Sequence, residues 1–128
     1  MPRAIAALLG LGLIPVAAVM LIAPALWYEQ FPGVVESGPL NHHLVRDLGC
    51  AFLVAGGSLF YAAMKPRNAG GLVIAAAAML SFHGAVHLGE GALRTHSGWR
   101  TVDLGTVYLP AVLALACVVL WPRYDHWR

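Results

Sequence analysis

The sequence predicts an all-α fold: an integral membrane four-helix up-down bundle with both termini cytoplasmic. Three observations predict it. Four apolar runs, each long enough for a helix, are separated by short polar stretches. Only 11% of the residues are charged and 59% are hydrophobic, whereas a soluble domain carries roughly 25% charged residues. Finally, Lys and Arg gather at one set of segment ends, as the positive-inside rule expects. The length suits a single transmembrane domain over residues 1–128. A net charge of +2, with the basic residues dispersed, argues against a nucleic-acid surface.

The first run covers about residues 4–28 and contains no charged side chain. At ~1.5 Å per residue it exceeds the ~30 Å hydrocarbon thickness. It is also longer than the apolar core of a signal peptide, so it is expected to be a retained helix. Pro15 is expected to kink it, with Pro24 near its outer end. Residues 27–33 read as an extended segment with a Pro-Gly turn, expected to lie along the membrane surface and cap the cluster of ionisable residues described below. Ser37-Gly38-Pro39 is expected to start the second helix, about 40–64, and Lys65-Pro66-Arg67-Asn68 to end it. The third helix is expected over about 70–93, and the fourth over about 102–121 with Pro110 bending it.

Arg3, Lys65, Arg67, Arg123 and Arg128 fall on one side, and Arg94 and Arg100 on the other with Glu29, Glu36 and Glu90. That asymmetry puts both termini and the Lys65–Asn68 turn in the cytoplasm. Trp27, Tyr28 and Trp99 then mark the outer interface, and Trp121, Tyr124 and Trp127 the inner one. Cys50 and Cys117 lie in apolar stretches without metal-ligand spacing and read as small buried hydrophobes.

Against this background two segments carry ionisable residues: Asn41-His42-His43-Leu44-Val45-Arg46-Asp47 and His83-Gly84-Ala85-Val86-His87-Leu88-Gly89-Glu90. Such groups are costly within a bilayer and usually mark a ligand site, a pathway or a paired network. On antiparallel helices His43 matches His87 in depth, and Asp47 matches His83. His43 and Asp47 are i, i+4, as are His83 and His87, and Glu90 follows at i+3.

The leading expectation is a transition-metal site near the outer, periplasmic face. His43, His83, His87, Asp47 and Glu90 would be its ligands, and Cu, Zn or Fe the metal. The flanking polar network would be Asn41, His42, Arg46, Asp103 and Tyr108. A second reading is haem b with His43 and His87 as axial ligands and Arg46 on a propionate. A third is a proton or quinone site with Tyr108 as wall or donor. The non-functional alternative is a polar network that fixes helix register, as in an accessory or scaffold subunit. His96 and His126 read as a solvated loop residue and an interfacial one. There is no nucleophilic triad and no phosphate-binding glycine loop, so the sequence names no reaction.

In size and topology the chain resembles the small four-helix bacterial inner-membrane proteins, DoxX-like proteins among them. The resemblance covers the architecture of the whole chain and no motif, so it assigns no functional residue. It implies a multi-pass protein of the bacterial inner membrane. Expected partners are the lipid bilayer and either a larger membrane complex or a second copy of the chain.

Overall fold

A computed structural model describes residues 1–31, 33–35, 38–93 and 102–122, without the side chains of 91–93. Glu36, Arg94, His96, Trp99, Arg100 and the tail from Arg123, with Tyr124, His126, Trp127 and Arg128, lie outside the described residues. Among those described, the secondary structure is helical and contains no strand. The elements are α1 (Pro2–Ile22), α2 (Pro24–Gln30), α3 (His42–Met64), α4 (Gly70–Leu93), a π-helical turn (Leu104–Tyr108) and α5 (Leu109–Leu120).

Three spans are long and apolar enough to cross a membrane: Pro2–Ile22, His42–Met64 and Gly70–Glu90. Leu104–Leu120 is a shorter apolar helix. Large apolar side chains face outward on every one of them, including Leu8, Val54, Phe82 and Val119. The inward faces are built largely from alanine and glycine, and no polar or charged residue among those described is fully buried. An apolar exterior around a small-residue interior suits lipid contact, because close backbone approach replaces the hydrophobic drive that lipid removes.

The helices alternate in direction. Arg3 of α1 reaches Ala63 of α3, Gly10 meets Gly56 and Phe60, and Ala17 and Met20 meet Gly49. Rising numbers on α1 thus meet falling numbers on α3. Gly70 at the start of α4 lies near Trp121 after α5, and Gly84 lies near Val107 and Tyr108. Cys117 Sγ donates to the Pro2 carbonyl at 3.4 Å, which brings the end of α5 beside the start of α1. The three long helices and the shorter α5 therefore close into a ring, α1–α3–α4–α5.

Each buried stripe follows the helical repeat. On α3 it is Val45, Gly49, Phe52, Gly56 and Leu59; on α4, Val73, Ala76, Leu80 and Gly84; on the last helix, Val107, Ala111, Ala114 and Cys117. At Gly10 the backbone must come close. A Cβ there would sit 2.7 Å from the Gly56 carbonyl oxygen and 2.8 Å from Phe60 Cβ. Both ends of the α1–α3 pair are closed by arginine. Arg3 Nε donates to the Ala63 carbonyl at 3.0 Å, and Arg46 Nε to the Leu21 carbonyl at 3.2 Å. These acceptors lie near helix C-termini, where carbonyls lose their intrahelical partners.

Five details differ from the sequence expectations. Cys117 is buried as expected, but Cys50 is exposed on α3, off the inward stripe of Gly49 and Phe52. The first apolar run is two helices, because Pro24 has no N–H to continue the ladder and instead starts α2. Trp27–Gln30 is consequently helical rather than extended. α3 starts at Asn41, whose side chain accepts from the His43 and Leu44 N–H groups at 3.1 Å each, rather than at Ser37-Gly38-Pro39. Before Pro110 the last helix widens into a π turn, with the Leu109 N–H reaching the Leu104 carbonyl. A proline cannot donate to the carbonyl four residues back, and a wider turn accommodates that loss.

Candidate functional site

The two stripes of ionisable residues do not face each other. On α3 the inward stripe runs through Val45 and Gly49, while His43 and Asp47 lie two residues to either side of Val45. Two residues correspond to ~200° around a helix, so this pair points outward. The side chains of His43 and Asp47 are 87% and 61% exposed, and they pair with each other, Nε2 to Oδ2 at 3.4 Å. His42 is exposed beside them. Arg46 is held at the end of α1 and takes no part in a ring of ligands.

On α4 the geometry runs the other way. His83 and His87 extend the inward stripe of Leu80 and Gly84. Their rings meet edge-on with centroids 4.7 Å apart, and His83 also stands perpendicular to Phe52 of α3 at 5.2 Å. The carboxylate that meets His87 comes from the last helix: Asp103 Oδ2 lies 3.2 Å from His87 Nδ1. Both side chains of this pair are largely shielded, with exposures of 28% and 14%.

This assembly borders a cavity of about 410 Å³ between α2, α3, α4 and the π turn. Its polar wall includes His83, His87, Glu90, Asp103, Thr106 and Asn41. The remaining wall is apolar or aromatic: Phe52, Leu48 and Val45 from α3, Val107 from the π turn, and Trp27, Tyr28 and Phe31 from the α2 side. The Trp27 and Phe31 rings stack at 5.5 Å. The Tyr28 hydroxyl donates to the Gly38 carbonyl at 2.8 Å and fixes the segment that leads into α3. Trp27 Nε1 is buried and finds no acceptor among the described residues.

The expected five-residue metal site is therefore divided. His83, His87 and Glu90 line the cavity, whereas His43 and Asp47 sit outside it on the opposite face of α3. Among the described residues no group of three or more His, Cys, Asp or Glu side chains is placed to hold a metal ion. Of the two histidines expected as axial ligands of a haem, His87 lines the cavity and His43 is not among its lining residues. Within the flanking set, Asp103 moves to the centre as the partner of His87, and Asn41 both caps α3 and lines the cavity. Tyr108 packs near Gly84. Sequence reasoning placed Trp27 and Phe31 over the cluster, as the cavity wall shows them, and missed Phe52, Thr106 and Val107 as wall residues. The signal for Phe52 was present, since it lies on the inward stripe of α3.

A histidine held by a carboxylate in an apolar, aromatic-walled cavity can orient a polar group at the end of an otherwise apolar guest. Neither protein-family models, nor characterised proteins, nor solved structures yield a match to this chain. The likeness to small four-helix membrane proteins therefore rests on architecture alone.

Proposed function

We propose that this chain is a multi-pass protein of the bacterial inner membrane that binds a lipophilic small molecule within its bundle. The polar end of the guest sits at the His87–Asp103 pair. The observation that carries this reading is the cavity of about 410 Å³, large enough for a small ligand and apolar on most of its wall. A fixed His–Asp pair on that wall favours a guest with a polar end over pure hydrocarbon. The apolar exterior suits a protein surrounded by lipid, from which such a guest partitions.

The orientation follows from charge. Arg3, Lys65 and Arg67 share the end of the bundle away from the cavity, which supports a cytoplasmic position for that end and a periplasmic side for the cavity.

Purification in native-membrane nanodiscs followed by lipid mass spectrometry tests the reading. A lipophile enriched over the surrounding lipid in the wild type, and lost in the cavity-filling variant Leu48→Trp, is the expected result. Identical extracts from a folded Leu48→Trp and the wild type would refute it.

A further inference from the structure

We infer that the guest is a hydroxylated aromatic ring carrying an apolar chain, a phenol- or quinol-type lipophile, with its hydroxyl donating to His87 Nε2. This rests on the proposed binding of a lipophile in the same cavity and specifies its chemistry.

Three observations lead there. His87 Nδ1 is engaged by Asp103 Oδ2 at 3.2 Å. A neutral imidazole whose Nδ1–H donates to a carboxylate carries its lone pair on Nε2, so the nitrogen left for a ligand is an acceptor. The matching group on the guest is a hydroxyl donor.

The cavity walls are also aromatic. Phe52 and His83 stand edge to face at 5.2 Å, and Trp27 and Phe31 stack at 5.5 Å. Such walls suit a flat ring, which meets other rings in offset or edge-on contact. The buried Trp27 Nε1, without an acceptor among the described residues, favours an oxygen-bearing guest over pure hydrocarbon.

Lastly, the cavity has an apolar neighbour. A groove of about 370 Å³ along Pro15, Val16 and Val19 of α1 shares Val16, Trp27 and Phe31 with it. The groove gives an apolar surface beside the cavity, next to the Trp27–Phe31 pair, for the chain of a guest whose head is at His87. The acidic residues Asp103 and Glu90 on the cavity wall argue against a carboxylate head.

The test is calorimetric titration of the whole protein in a maltoside detergent with chain-matched probes: 4-decylphenol, 4-decylanisole, undecanol and decyltrimethylammonium. The anisole replaces the hydroxyl donor by a methyl ether. Wild-type protein is expected to prefer the phenol over the anisole by about tenfold, the scale of one hydrogen bond. His87→Phe is expected to remove that preference while still binding both probes. Taking the phenol-to-anisole ratio in each protein and comparing the two cancels their unequal partition into detergent. Asp103→Asn, which no longer enforces the acceptor at Nε2, is expected to reduce the ratio as well.

Equal binding of phenol and anisole by wild-type protein overturns the inference and leaves the lipophile-binding reading intact. So does undecanol matching the phenol, or the ammonium probe binding more tightly than it. Absence of saturable binding for every probe overturns the inference and counts against the cavity reading too. Partition of each probe into protein-free micelles, measured separately, corrects the wild-type affinities, and the corrected wild-type comparison needs no variant to fold.

Discussion

Replacing Gly10 by alanine should weaken the α1–α3 contact on which the cavity wall depends. The new Cβ would lie 2.7 Å from the Gly56 carbonyl oxygen and 2.9 Å from the Phe60 nitrogen, whereas ordinary contact begins at 3.4 Å. Both obstacles are backbone atoms of one helix, so neither can yield alone and the two helices must separate. Overpacking of this kind costs about 1–3 kcal/mol, and the better helix propensity of alanine returns about 1 kcal/mol. The expected net loss is about 0–2 kcal/mol. A Cβ added at Gly12 on the same helix, or at Gly57 on the facing one, would meet nothing within 4 Å. Alanine at either should be neutral or stabilising by up to about 1 kcal/mol. Unfolding by sodium dodecyl sulfate in mixed micelles, followed by circular dichroism, reads all three. Equal midpoints for Gly10→Ala and Gly12→Ala would refute the packing argument.

Other variants separate capping, surface pairing and burial. Asn41→Ala should lower stability by about 1 kcal/mol through loss of the α3 cap, while Asn41→Asp should retain most of it in the same unfolding assay. His43→Ala should leave both unfolding midpoint and probe binding unchanged, because its pair with Asp47 is exposed; a loss of binding would return His43 to the site. Cys117 is buried against the start of α1, whereas Cys50 is exposed on α3. With the folded protein in detergent solution, a lipophilic maleimide should therefore label Cys50 faster than Cys117, and the difference should vanish on denaturation, as mass spectrometry of the adducts would show.

Much of the architecture is legible in the sequence because the apolar runs and their charged ends are strong local signals. Break points are less so. Pro24 lies within an unbroken apolar run, and only its missing N–H distinguishes one long helix from α1 followed by α2. At the site, depth is readable and azimuth is easily misassigned. Depth alone matches His43 and Asp47 to α4, yet the spacing Val45–Gly49–Phe52–Gly56–Leu59 already marks the inward stripe and leaves them on the far side. The same depth argument applied to the other neighbour of α4 leads to Asp103. The π turn beside Asp103 is not readable, because it depends on how the backbone adjusts before Pro110.

A lipophile in the space beside His87 and Asp103 is the reading on which the binding expectations depend. A decylphenol carrying a photoreactive diazirine next to the ring tests it most directly, with adducts located by peptide mass spectrometry. Labelling should concentrate on cavity residues such as Leu48, Val86 and Val107 and fall away when unlabelled 4-decylphenol competes. Adducts spread over outward residues such as Leu8, Ile74 and Val112, insensitive to competition, would contradict the account.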